Sequence, residues 1–114
     1  MATAESTVSD MLVTVKSREV QRGMLAEMRN DAGDARRHFL AAAHLELVLA
    51  KDYDGAGESE LALRSGLSAA SCFWRAAEMQ TARNLFAELA RQYPKHAASI
   101  ESTRQELESP AASA

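Results

Sequence analysis

Two nine-residue stretches decide how this chain is read: Ala35-Arg36-Arg37-His38-Phe39-Leu40-Ala41-Ala42-Ala43 and Ala82-Arg83-Asn84-Leu85-Phe86-Ala87-Glu88-Leu89-Ala90. Set against each other at an offset of 47 residues, they pair alanine with alanine, arginine with arginine, phenylalanine with phenylalanine, and a closing alanine with another. A small residue four positions before an aromatic lies on the same helix face. A partner helix approaches closely at one turn, and the ring fills the gap at the next. The recurrence predicts two related helical hairpins that bury a shared core.

The surrounding composition points the same way. Of 114 residues, 23 are alanine against five valines and one isoleucine, and neither proline precedes Pro94, so helix formers abound where strand formers are scarce. The expected fold class is all-α, in a single domain, because a chain of this length buries roughly two thirds of its unfolded surface. Apolar periodicity predicts a first helix over about 8–29, opened by a capping box at Thr7 and Asp10, and a second that starts after Asp31 or Asp34 and runs to about Lys51. The short connection makes these two antiparallel neighbours. Asp52-Tyr53-Asp54-Gly55-Ala56-Gly57-Glu58, rich in glycine and acids, reads as a flexible loop and the main hinge. Further helices are expected over about 58–77, 79–92 and 95–108, with Pro94 ending the fourth. The expected organisation is a flexible start at 1–6, one helical domain over 7–108 and a disordered tail at 109–114.

Charge excludes some partners. Residues 1–57 carry seven basic and nine acidic side chains, residues 58–114 six and seven, so no basic patch marks a nucleic-acid interface. The most apolar stretch, Phe39 to Ala50, is interrupted by His44 and Glu46 and falls short of the roughly 20 residues a membrane-spanning helix needs. Neither nucleic acid nor membrane is an expected partner. Cys72 is the only cysteine, and the acidic first residues do not read as a secretory signal, so a cytoplasmic address is expected.

In this pattern the chain resembles the tetratricopeptide repeat family. Over residues 63–96, Ala70 takes the small position of the first helix, Phe73 the aromatic, Ala82 the alanine of the second helix, Phe86 its aromatic, Leu89 the next core position and Pro94 the closing proline. Upstream, over about 16–49, Gly23, Ala35, Phe39 and Ala42 follow the same order, but Ala26 stands at the aromatic position and no proline closes the unit. The resemblance implies antiparallel helical hairpins with a short C-terminal capping helix. A plain four-helix bundle is the alternative architecture.

No residue set points to catalysis, a cofactor or a metal. His38 and His44 are six residues apart and lie on different helix faces, Gly55 and Gly57 are loop glycines, and Cys72 has no adjacent cation to make it a thiolate. The acid pairs Asp52/Asp54 and Glu58/Glu60 suit helix ends. The chain is therefore expected to be a non-enzyme without cofactors.

By the resemblance, the first helix of each hairpin lines a concave groove that receives a protein or peptide. The matching positions are Ser17, Val20, Met24, Glu27 and Met28 upstream, with Arg64, Leu67, Ser71, Trp74 and Arg75 downstream. Methionines adapt to a partner's shape and tryptophan beside arginine suits a binding hot spot. Trp74 also falls on the apolar stripe, so core and groove both remain open for it and for the methionines. Asparagines and lysines are missing from the positions with which some relatives clamp a C-terminal carboxylate. The expected function is a non-catalytic protein-interaction module. A homodimer is also expected, since two repeat units are few for a self-standing stack. A small secretion or assembly chaperone, or a helical-bundle enzyme or ligand carrier built around His44 and Glu46, are the alternatives.

Overall fold

The computed structural model describes the backbone of residues 4–109 and the side chains of residues 8–109. It is all-helical: α1 spans Ala4–Met28, α2 Ala32–Gly55, α3 Ser59–Arg75, α4 Met79–Gln92 and α5 Ala97–Glu108, with a short 3-10 turn at Pro94–His96. Each helix packs on the next in chain order, α1 on α2, α2 on α3, α3 on α4 and α4 on α5. None of the described helices is long and apolar enough to cross a membrane.

Three tight turns set this order, and they share one geometry. Asn30, Gly57 and Ala77 take positive φ values of 60°, 77° and 64°. At each, the next residue donates its N–H back five positions, Asp31 to the Ala26 carbonyl, Glu58 to Tyr53 and Glu78 to Phe73, all at 2.9 Å. These bonds satisfy carbonyls that the helix end would leave bare. The residue after each left-handed position is an acid that precedes a new helix, and Asp31 caps α2 by accepting the Asp34 N–H at 3.0 Å. The first and third turns stand 47 residues apart, the offset at which the two nine-residue stretches align.

The turn at Gly57 corrects the expected loop over 52–58. Residues 52–55 are the last turn of α2, and the N–H groups of Ala56, Gly57 and Glu58 bond back onto the carbonyls of Asp52, Tyr53 and Asp54. Only Gly57 uses the conformational freedom that suggested a hinge. The first helix also begins earlier than the capping pattern implied, at Ala4, so Thr7 does not open it. The expected flexible start is helical backbone from Ala4 onward, while residues 1–3 and 110–114 lie outside the described residues. Pro94 does close α4, which ends at Gln92.

Ala77 is the one turn residue with a Cβ and no polar side chain, so its left-handed conformation costs about 1–2 kcal/mol that glycine avoids. Ala77→Gly is expected to raise stability by about 1 kcal/mol and the melting temperature by about 5 °C, read by circular dichroism. A lowered midpoint would show that this turn is not left-handed in solution.

Two cores share α3. Phe39 is fully buried among Ala26, Ala35, Ala42, Ala43 and Ala76, while Phe86 is buried with Leu63, Ala70, Leu89 and Ile100. The wall around Phe39 is so close that a Cβ on Gly23 would stand 2.8 Å from the ring, and one on Gly66 would meet Leu89 at 2.8 Å. Glycine is what lets α1 approach α2, and α3 approach α4, at these points.

Candidate interaction surface

The equivalent arginines of the two stretches both reach forward into the next element. Arg36 donates to the Ala76 carbonyl at 2.5 Å and to Glu78 at 2.7 Å, so a side chain of α2 fastens the turn between α3 and α4. Arg83 donates to Glu108 of α5 at 3.3 Å and lies 5.4 Å from the centre of the Trp74 ring. Both contacts tie neighbouring elements together.

The residues expected to line a groove divide into two groups. Met24, Glu27 and Met28 of α1 and Arg64 and Arg75 of α3 are exposed, Met28 to 79%. Val20 and Trp74 are half-buried against the first core and Leu67 against the second, and Ser17 and Ser71 are half-buried as well. The methionines are surface, while Trp74 is partly core.

Arg75 joins the exposed residues of the two helices. Its guanidinium donates to Glu27 at 2.6 Å and sits 4.3 Å above the Phe39 ring, bridging α1 and α3 over the first core. Trp74, one residue earlier, turns about 100° away toward Arg83 on α4. The pair that suggested a hot spot is therefore split between two sides of α3, and Arg75 already has a partner.

Near Cys72 lies a polar group inside the packing. Glu46 is buried, and its carboxylate meets Lys16 of α1 at 3.6 Å. Burial, then the charge of Glu46, push the Cys72 thiol up to about 11, so it is protonated near neutrality and a poor nucleophile. His44 is exposed, its ring edge-on to Phe73 at 5.4 Å. His44 and Glu46 thus face different surroundings and do not converge on one cavity.

At the outer edge of the α1/α2 hairpin the charges interlock. His38 Nδ1 lies 2.6 Å from Glu19 and its Nε2 3.5 Å from Asp34. The hydrogen bond from Arg37 holds the Asp34 carboxyl below its ordinary range, with His38 and Arg29 adding to the effect. On α5, Arg104 does the same for Glu101 and Glu108.

Sequence reasoning missed one concavity, a cleft of about 490 Å³ between α2 and α4. Leu40, Leu47, Phe73 and Leu85 form its floor, with His44 and Glu88 on the rim. Its walls come from segments some 40 residues apart, and helical periodicity says nothing about which faces meet across such a distance. Comparison of the chain with protein-family models, with curated proteins and with solved structures gave no match.

Proposed function

We propose that this chain is a non-catalytic protein-binding module built from two tetratricopeptide-like hairpins, and that it takes a protein or peptide segment along the exposed faces of α1 and α3. The observation that carries this reading is the recurrence at 47 residues. It relates the left-handed positions Asn30 and Ala77, the back-bonded residues Asp31 and Glu78, the buried rings Phe39 and Phe86, and the forward-reaching Arg36 and Arg83. Packing in chain order also suits a stack of repeats better than a closed four-helix ring. The partner-facing residues in this reading are Met24, Met28 and Arg64, exposed and adaptable, beside the Glu27–Arg75 pair that stiffens the surface.

Met24→Asp with Met28→Asp is the test, since exposed substitutions of this kind leave stability within about 0.5 kcal/mol. Proteins captured from the native source by the parent, and confirmed with purified components, are expected to be lost by this variant. They should be kept by a control with Glu88→Lys on the opposite side. Equal retention by both variants would remove α1 and α3 as the binding face.

The cleft between α2 and α4 favours a second reading, as a carrier of a small apolar ligand, because its volume falls in the range of such sites. In that case Glu88→Lys, and not the α1 variant, abolishes binding.

A further inference from the structure

α1 is the helix whose burial is incomplete. Along its 25 residues, only Gly23 and Ala26 are fully buried among the described side chains. Large apolar side chains stand exposed on both of its flanks, Met11 to 61% on one and Met28 to 79% on the other. A helix apolar on several sides is one that needs cover on several sides. The opposite end of the molecule is built differently: α5 buries Ile100 inward and presents Glu101, Arg104 and Glu108 as a charged network outward. A helical stack is closed by a polar outer face at its termini, and among the described residues the outer side of α1 interrupts its polar residues with exposed Met11, Val13, Leu25 and Met28.

The two flanks of α1 are distinguished by their contacts. Glu27 meets Arg75 on the flank toward α3, and Glu19 meets His38 on the flank away from it. Counting back from Glu19 in helical steps gives Val15, Met11 and Val8, all exposed. Counting forward from His38 in steps of three and four along α2 reaches Val48, exposed, and then Asp52. These rows lie side by side in an antiparallel hairpin, so they form one apolar outer face. Arg18 continues the α1 row beyond Val15 at one end of this face, and Asp52 closes it at the other. Neither Arg18 nor Asp52 has an ion-pair partner among the described residues.

We infer that this outer face, centred on Met11 and Val15, is where a second copy of the chain docks in a two-fold symmetric dimer. A two-fold axis through its middle sets Met11 of one copy against Val15 of the other. The same operation brings the basic end at Arg18 onto the acidic end at Asp52, twice, which is the self-complementarity an isologous contact requires. The α1 row from Val8 to Arg18 runs about 15 Å along the helix and Val48 flanks it, so the contact is a compact one at the small end of protein interfaces. The face toward α3, with Met24 and Met28, stays open, so this inference is independent of the proposed partner site.

Sedimentation equilibrium of the full chain over a wide concentration range tests it. The parent is expected to rise from 12.4 kDa to twice that mass, and Met11→Glu with Val15→Glu to remain at the monomer mass with unchanged helical content. Arg18→Asp and Asp52→Arg singly should each weaken association about tenfold, and combining them should restore it. These two sites are exposed, so the charge-swap series stays informative if the Met11/Val15 variant folds poorly. A parent that is monomeric at high concentration, a double charge swap without recovery, or a dimer lost instead through Met24→Asp with Met28→Asp, would each overturn the proposal.

Discussion

Phe39→Ala and Phe86→Ala are each expected to destabilise the domain by about 3–5 kcal/mol, a large share of what a domain of this size holds in total. Both rings are buried, at 0% and 2% exposure, one on α2 and one on α4, 47 residues apart in sequence. Their surroundings differ. Phe39 shares its core with six alanines beside Cys72 and Phe73, and Gly23 stands against its ring, so few of the buried residues around it have rotamers to turn into a vacated space. Phe86 is surrounded by Leu63, Leu89 and Ile100, which have freedom to relax inward. The cost is therefore expected to be larger at Phe39, where Arg75 also loses the ring beneath its guanidinium. Urea unfolding midpoints with unchanged slopes measure both. A midpoint equal to the parent's at either site would place that ring outside the core and dissolve the equivalence of the hairpins.

Removal of Lys16 should have the next largest effect. Its ammonium is the cation facing Glu46, whose side chain is only 5% exposed, and the separation of 3.6 Å makes the attraction chiefly Coulombic. Lys16→Met leaves a carboxylate buried beside the protonated Cys72 thiol with its ion pair gone, at an expected cost of about 3 kcal/mol. Glu46→Leu is expected to cost less, because Lys16 is a quarter exposed and its head group can turn to water. The double replacement should recover most of the loss, as apolar pairs commonly replace buried ion pairs without penalty. Denaturant unfolding of the four proteins closes the cycle. A loss below about 0.5 kcal/mol for Lys16→Met would mean that the contact between Lys16 and Glu46 contributes little to stability.

What was legible in the sequence was local. Alanine content and the scarcity of β-branched residues determined an all-helical chain, and the spacing around Phe39 and Phe86 determined which helix faces turn inward. Asp31 before α2 and Pro94 after α4 marked two helix ends, because caps and prolines act within one turn of where they stand. The segment 52–58 misled for a related reason. Gly55, Gly57 and the acids favour a loop by composition, while the hydrogen bonds of Ala56, Gly57 and Glu58 close within five residues and make the segment a helix end and a tight turn in which only Gly57 is left-handed.

Only the tertiary structure decided what the side chains do once the helices meet. Trp74 and Arg75 are neighbours in sequence, yet they part company because consecutive residues leave a helix about 100° apart and find different helices there. Ala77 adopts the left-handed turn of Asn30 and Gly57 although it has neither the amide nor the missing Cβ that would announce it; the packing of α3 on α4, and Arg36 reaching across from α2, hold it there. The bare flank of α1 was equally hidden. α1 mixes apolar and polar residues on several sides, so its periodicity names no single inward face, and which of its residues are core and which stay exposed is settled by the position of α2.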